Sequence, residues 1–124
     1  MLANAQYMTD QPDIESIPPL REATLCILLS LAAGPKHGYA VMKDVTSLSH
    51  GRVELSTSTL YSAFKRLLDR GWIRRVDDPL PDETARVRKH YELTDIGRRI
   101  LDAEIARLQA LLSVAQLRTS GGQA

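Results

Sequence analysis

The segment from Ser56 to Gly71 constrains the fold more than any other part of the chain. Leu60, Phe64, Leu67 and Leu68 recur at i, i+4, i+7 and i+8, so they share one face of a helix. Ser56 stands where an N-cap belongs, its hydroxyl able to accept from an orphan backbone N–H, and Gly71 closes the helix. The period then changes. Trp72-Ile73-Arg74-Arg75-Val76 reads as a short strand. Arg88-Lys89-His90-Tyr91-Glu92-Leu93 reads as its return, with Tyr91 and Leu93 alternating against polar neighbours. Residues 77–87 between them read as a hairpin loop.

Two helices precede this unit and one follows it. The first, over Leu20–Ala33, carries Leu25, Leu28 and Leu29, is widened by Ile27 and Leu31, and stops at Gly34-Pro35. The second, over His37–Leu48, turns Tyr39, Val41, Met42, Val45 and Leu48 to one side. After the hairpin, Thr94 caps a helix from Asp95 to about Arg118. Its apolar stripe is Ile96, Ile100, Ala103, Leu108, Leu111 and Ala115, broadened by Leu101, Ile105 and Leu112. At ~1.5 Å per residue it is roughly 36 Å long, more than a three-helix domain this small can cover. The expected fold is mainly α with a small β-hairpin. A winged helix-turn-helix domain spans 20–93 and a long C-terminal helix spans 94–118. Residues 1–19 are polar, acidic and broken by Pro12, Pro18 and Pro19, which reads as a flexible arm, and 119–124 read as a frayed tail.

Composition narrows the function. The 124 residues suffice for one compact domain and exclude an enzyme with separate cofactor and substrate domains. The single cysteine, Cys26, excludes an intrachain disulfide or a multi-cysteine metal site, and it reads as a small buried apolar residue. His37, His50 and His90 lack ligand spacing. No serine–histidine–carboxylate arrangement, glycine-rich phosphate loop or paired-carboxylate motif stands out, so no enzyme activity, cofactor or metal is expected. No secretory signal or bilayer-length apolar run is visible, which reads as a cytoplasmic chain. The net charge of +1 hides an uneven distribution. Residues 1–64 carry four basic and six acidic groups, whereas 65–99 carry ten and seven, with five of those ten basic groups between Lys65 and Arg75. A local basic stripe on a near-neutral chain suits a polyanionic partner.

The third helix has what a DNA-reading helix needs. Small hydroxyl side chains lie at its N-terminal turn, where the backbone must come close, and basic residues follow that reach phosphates or guanine edges. Ser56, Thr57, Ser58, Thr59, Tyr61, Ser62, Lys65 and Arg66 are the expected contacts. The strands of the wing would bring Arg74, Arg75, Arg86, Arg88 and Lys89 to the flanking backbone or minor groove. The wing tip is acidic at Asp77, Asp78, Asp82 and Glu83, so the strand arginines are expected to make contact in its place. Trp72 is expected to pack under the hairpin.

Several segments carry a family resemblance. They are Leu28-Leu29-Ser30-Leu31, His37-Gly38-Tyr39, Leu60-Tyr61, Leu67, Gly71-Trp72-Ile73, and Arg88-Lys89-His90-Tyr91-Glu92-Leu93-Thr94 with Gly97. In this order and spacing the chain, over about residues 20–117, resembles PadR-type transcriptional regulators. The resemblance implies a homodimeric winged-helix repressor of double-stranded operator DNA in the short C-terminal form. The last helix would join helix one of the partner, placing Leu25, Leu28, Ile100, Leu101, Ile105, Leu108, Leu111, Leu112 and Ala115 at the dimer interface. It also implies an apolar small-molecule effector near that layer, for which Ile27, Leu31, Leu101, Ile105 and Leu108 are the expected lining. The family pattern places Pro-Gly ahead of Thr-Leu-Tyr, where this chain has Thr57-Ser58, and Tyr-Tyr where it has His90-Tyr91. The alternative is a winged-helix protein–protein adaptor that has lost DNA binding, which the acidic wing tip and small net charge favour.

Overall fold

The computed structural model describes residue 14 and residues 17–77 and 89–121. Helix α1 is Glu22–Ala32, strand β1 Lys36–His37, α2 Gly38–Leu48, α3 Thr57–Asp69, β2 Ile73–Asp77, β3 Lys89–Leu93 and α4 Asp95–Gly121. The three strands form one antiparallel sheet in the order β1-β3-β2. β2 and β3 pair from Ile73 opposite Leu93 to Asp77 opposite Lys89. β1 adds Lys36 opposite Tyr91 and His37 opposite His90. This third strand is absent from the sequence reading, because two residues are too few to show alternation. The expected loop lies mostly outside the described residues, as do Asp78, Asp82, Glu83, Arg86 and Arg88.

One apolar core joins all these elements. Ile27, Leu28 and Leu31 of α1 meet Val41 and Val45 of α2, Leu60, Phe64 and Leu67 of α3, Ile73 and Tyr91 of the sheet, and Ile100 and Leu101 of α4. Burial of so many apolar side chains, each contributing roughly 1.5–3 kcal/mol, is what holds the four helices and the sheet around one centre. α1 is apolar on nearly every side because α2, α4 and β3 all pack against it. Cys26 is buried there, and that burial, the largest influence, raises its thiol pKa. Ser30 is also buried, and its hydroxyl has no partner among the described residues.

α4 joins the sheet through a tight seam. The Thr94 hydroxyl accepts from the Gly97 N–H and donates to the Gly71 carbonyl. A Cβ on Gly97 would lie 1.9 Å from the Trp72 carbonyl oxygen, so only glycine lets the helix approach β2 this closely. The Trp72 side chain is buried, with the Arg70 guanidinium 5.2 Å from its ring centroid.

Several expectations need correction. Tyr39 and Leu48 of α2 are exposed, as is Leu68 of α3, so the apolar faces of both helices are narrower than their sequence patterns. α4 continues through Gly121, with the Thr119 hydroxyl donating to the Ala115 carbonyl, where a frayed tail from 119 was expected. The end of the arm is also anchored: Ile14, Ile17 and Leu20 pack on the core. The buried carboxylate of Glu104 accepts from the Leu20 N–H at 3.1 Å and from Arg107 at 2.8 and 2.9 Å. The Arg107 hydrogen bond, with help from the Leu20 N–H, holds the Glu104 pKa below its usual range against the opposing effect of burial. The rest of the arm lies outside the described residues.

Candidate nucleic-acid interface

α3 and the helix before it are set by one close approach. A Cβ on Gly38 would lie 2.5 Å from the Tyr61 hydroxyl oxygen, so glycine at the start of α2 makes room for the Tyr61 ring. That ring meets Phe64 edge-on at 5.7 Å between centroids and remains partly exposed. The polar face of α3 is thereby fixed in rotation by Leu60, Ala63, Phe64 and Leu67 beneath it.

The sequence-derived contact residues divide by what they are already bonded to. The Ser56 hydroxyl caps α3 by accepting from the Thr59 N–H at 3.2 Å, and it bonds the Thr59 hydroxyl at 2.9 Å. Ser56 and Thr59 therefore build the helix start. Thr57, Ser58, Tyr61, Ser62, Lys65 and Arg66 are exposed on α3. None of the last two's charges is used in an ion pair among the described residues. The helix start also points free N–H groups and partial positive charge outward, which suits a phosphate.

On the wing, β2 and β3 lie beside one another as expected, but their cations are partly matched. Arg74 pairs with Glu92 across the strands, and Arg75 with Asp77 at 3.1 Å. Such exposed pairs are worth at most ~1 kcal/mol each and exchange readily for a phosphate. Lys89 is exposed opposite Asp77. His90 stacks on His37 with centroids 3.8 Å apart, which ties β1 to the wing. The sequence reading missed Tyr39, 69% exposed at the start of α2, with the Lys43 ammonium 5.6 Å from its ring centroid. Its mark was present: a tyrosine directly after the glycine that packs against α3.

The expected dimer residues fall into two groups. Leu28, Ile100 and Leu101 are fully buried in the protomer's own core and have no surface left for a partner. Leu25, Ile105 and Leu108 are half-buried, and Leu111, Leu112 and Ala115 are exposed. Val114 and Leu117 join this exposed group, Leu117 at 74%. Among the residues expected around an effector, Ile27, Leu31 and Leu101 are likewise consumed by the core. Among the described residues, no cluster of three or more His, Cys, Asp or Glu side chains could hold a metal. No helix of the described residues is long and apolar enough to cross a membrane.

Comparison with known proteins agrees with this geometry. The model of the transcriptional regulator PadR-like family matches residues 27–103, well over half of the chain. No curated protein matches the sequence. Among solved structures, a transcriptional regulator from Clostridium thermocellum is 26% identical, with 76% of this chain and 86% of that one covered, at a TM-score of 0.61. A PadR family transcription regulator from Clostridium difficile shares the fold at a TM-score of 0.65, with 20% identity and 80% and 99% coverage. Bacillus subtilis PadR, solved in complex with operator DNA, is 26% identical at a TM-score of 0.59; the match covers 68% of this chain and 47% of that longer one.

Proposed function

The chain belongs to the PadR-like family of transcriptional regulators, and from that premise we propose that it is a homodimeric repressor that reads a pseudo-palindromic operator. The observation that carries this reading is the exposed face of α3, where Ser58, Ser62 and Lys65 lie above a buried apolar base and the Lys65 ammonium is in no ion pair among the described residues. Ser58 and Ser62 are short enough to let the helix enter a major groove. Lys65 and Arg66 supply charge for phosphates or guanine edges. Bacillus subtilis PadR, a relative at 26% identity, is known bound to operator DNA, which supports the same use of this surface.

The second copy docks on the outer half of α4. Among the described residues nothing covers Leu111, Leu112 and Leu117, which are exposed, and Leu108, one turn earlier, is half-buried. Arg75 and Lys89, with Arg86 and Arg88, approach the flanking DNA backbone. A small-molecule effector releases the operator by favouring one spacing of the two recognition helices over the other; it shifts that balance only by its differential affinity for the two. The protein works in the cytoplasm, without catalysis.

Footprinting of the DNA upstream of its own gene tests the reading. Two protected half-sites about one turn apart, ~34–36 Å, are expected. Lys65→Ala should weaken binding and lower the salt slope by about one unit. A single protected patch, or affinity unchanged by Lys65→Ala, would refute the assignment.

A further inference from the structure

The segment Ile17–Leu20 runs between two cavities. On one side, a cavity of about 260 Å³ faces α4, and its polar groups, Glu104 and Arg107, already satisfy each other. On the other side lies an open cleft of about 690 Å³ between this segment and the C-terminal end of α3. That size suits a small organic ligand.

The chemistry of the cleft is lopsided. Ile17, Pro18, Pro19 and Leu20 give it one aliphatic wall. Arg21 and Thr24, which follow them in the chain, and Arg66 and Arg70 of the end of α3 complete the lining with three basic residues. None of the three forms an ion pair, and no acidic side chain lines the cleft, among the described residues. Trp72 closes the floor, but it is only 5% exposed and the Arg70 guanidinium lies 5.2 Å from its ring centroid. The indole therefore offers a ligand no free aromatic face. Guanidiniums grip carboxylates with two parallel hydrogen bonds, and the aliphatic wall matches a saturated chain.

We propose that this cleft binds a free medium-chain aliphatic carboxylate, its head on Arg66, Arg70 and Arg21 and its chain along Ile17, Pro18 and Leu20. The site is distinct from the expected effector layer between α1 and the partner's last helix. It also engages Arg66, on the recognition helix. Occupation takes that charge from DNA, so the ligand acts as an inducer. This coupling rests on the DNA-binding reading, whereas the binding step does not.

Trp72 is the chain's one tryptophan, so its emission reports on the cleft with no DNA present. Sodium octanoate should change that emission saturably. The neutral 1-octanol and the tail-less acetate should each bind at least about tenfold more weakly, the difference that ~1.4 kcal/mol makes. Arg70→Gln should weaken octanoate about tenfold. Arg21→Gln, a change at an exposed position, should do the same if the Arg70 variant fails to fold. In a second arm, saturating octanoate should lower affinity for the footprinted DNA by about tenfold or more. Absence of a saturable change with octanoate would overturn the site, as would equal binding of octanol or unaltered binding by Arg21→Gln. Octanoate binding with DNA affinity unchanged would overturn the coupling. A protein that binds octanoate but no DNA would refute the repressor reading and leave the cleft standing.

Discussion

The two halves of α4 carry similar apolar residues and meet opposite fates. In the inner half, Ile100 and Leu101 vanish into the core, and Gly97 is pressed against the Trp72 backbone. In the outer half, every residue from Gln109 to Ser120 is exposed, Leu111 at 57% and Leu112 at 56% among them. The stripe is continuous in sequence, yet the protomer fills only its first turns. Helical periodicity states which residues share a face; it does not state whose atoms cover that face. The inner half serves stability, and the outer half is the surface assigned to a second copy.

Substitutions can break this contrast. Ile100→Ala should cost the protomer about 2–5 kcal/mol through lost burial and a residual cavity. Gly97→Ala should cost at least about 1–3 kcal/mol, because the added methyl meets the Trp72 backbone instead of a movable side chain. Denaturant titrations measure both, and losses under ~1 kcal/mol would place the inner half outside the core. Leu111→Ser with Leu117→Ser should leave protomer stability within about 0.5 kcal/mol. The same pair should weaken self-association about a hundredfold, read by sedimentation equilibrium. A large fall in protomer stability would erase the distinction between the halves.

Glu104 sits at the boundary and sharpens it. Its folded pKa lies below the unfolded value of about 4.3, so its contribution is fully present above that pH. The contribution is lost as pH falls through the lowered folded value. Glu104→Gln should therefore cost about 1 kcal/mol at neutral pH and flatten the acid limb of the stability profile. An acid limb as steep in the variant as in the wild type would show that the pairing with Arg107 does not hold Glu104 ionised. The smallest effect belongs to Arg75→Ala. Its pairing with Asp77 is exposed, so stability should change by less than about 0.5 kcal/mol while DNA affinity falls modestly at low salt.

Much of this was legible from residue pattern. Ser56 as cap, Leu60, Phe64 and Leu67 on the buried face of α3, both wing strands to within a residue, and the Thr94 cap stand where the sequence places them, because caps and apolar period are read from neighbouring residues. The winged-helix fold and the family followed from the same segments. What escaped depends on distant partners. β1 exists only because Tyr91 and His90 lie opposite it. Ile100 and Leu101 look no different in sequence from Leu111 and Leu112, so their separation needed the packing of α1 and β3. Glu104 reads as an ordinary polar helix position until Leu20 is brought across 84 residues to meet it. Likewise, nothing local joins Arg21 to Arg66 and Arg70 across one cleft.

On this reading the exposed face of α3 recognises a specific DNA sequence. Fluorescence anisotropy of the protein with its own upstream DNA and with a random duplex, each titrated across salt, tests it most directly. A preference of about 10³-fold or more for the upstream fragment is expected, with affinity falling steeply as salt rises. No binding to either duplex at low salt would contradict it and turn attention to a protein partner for the same surface.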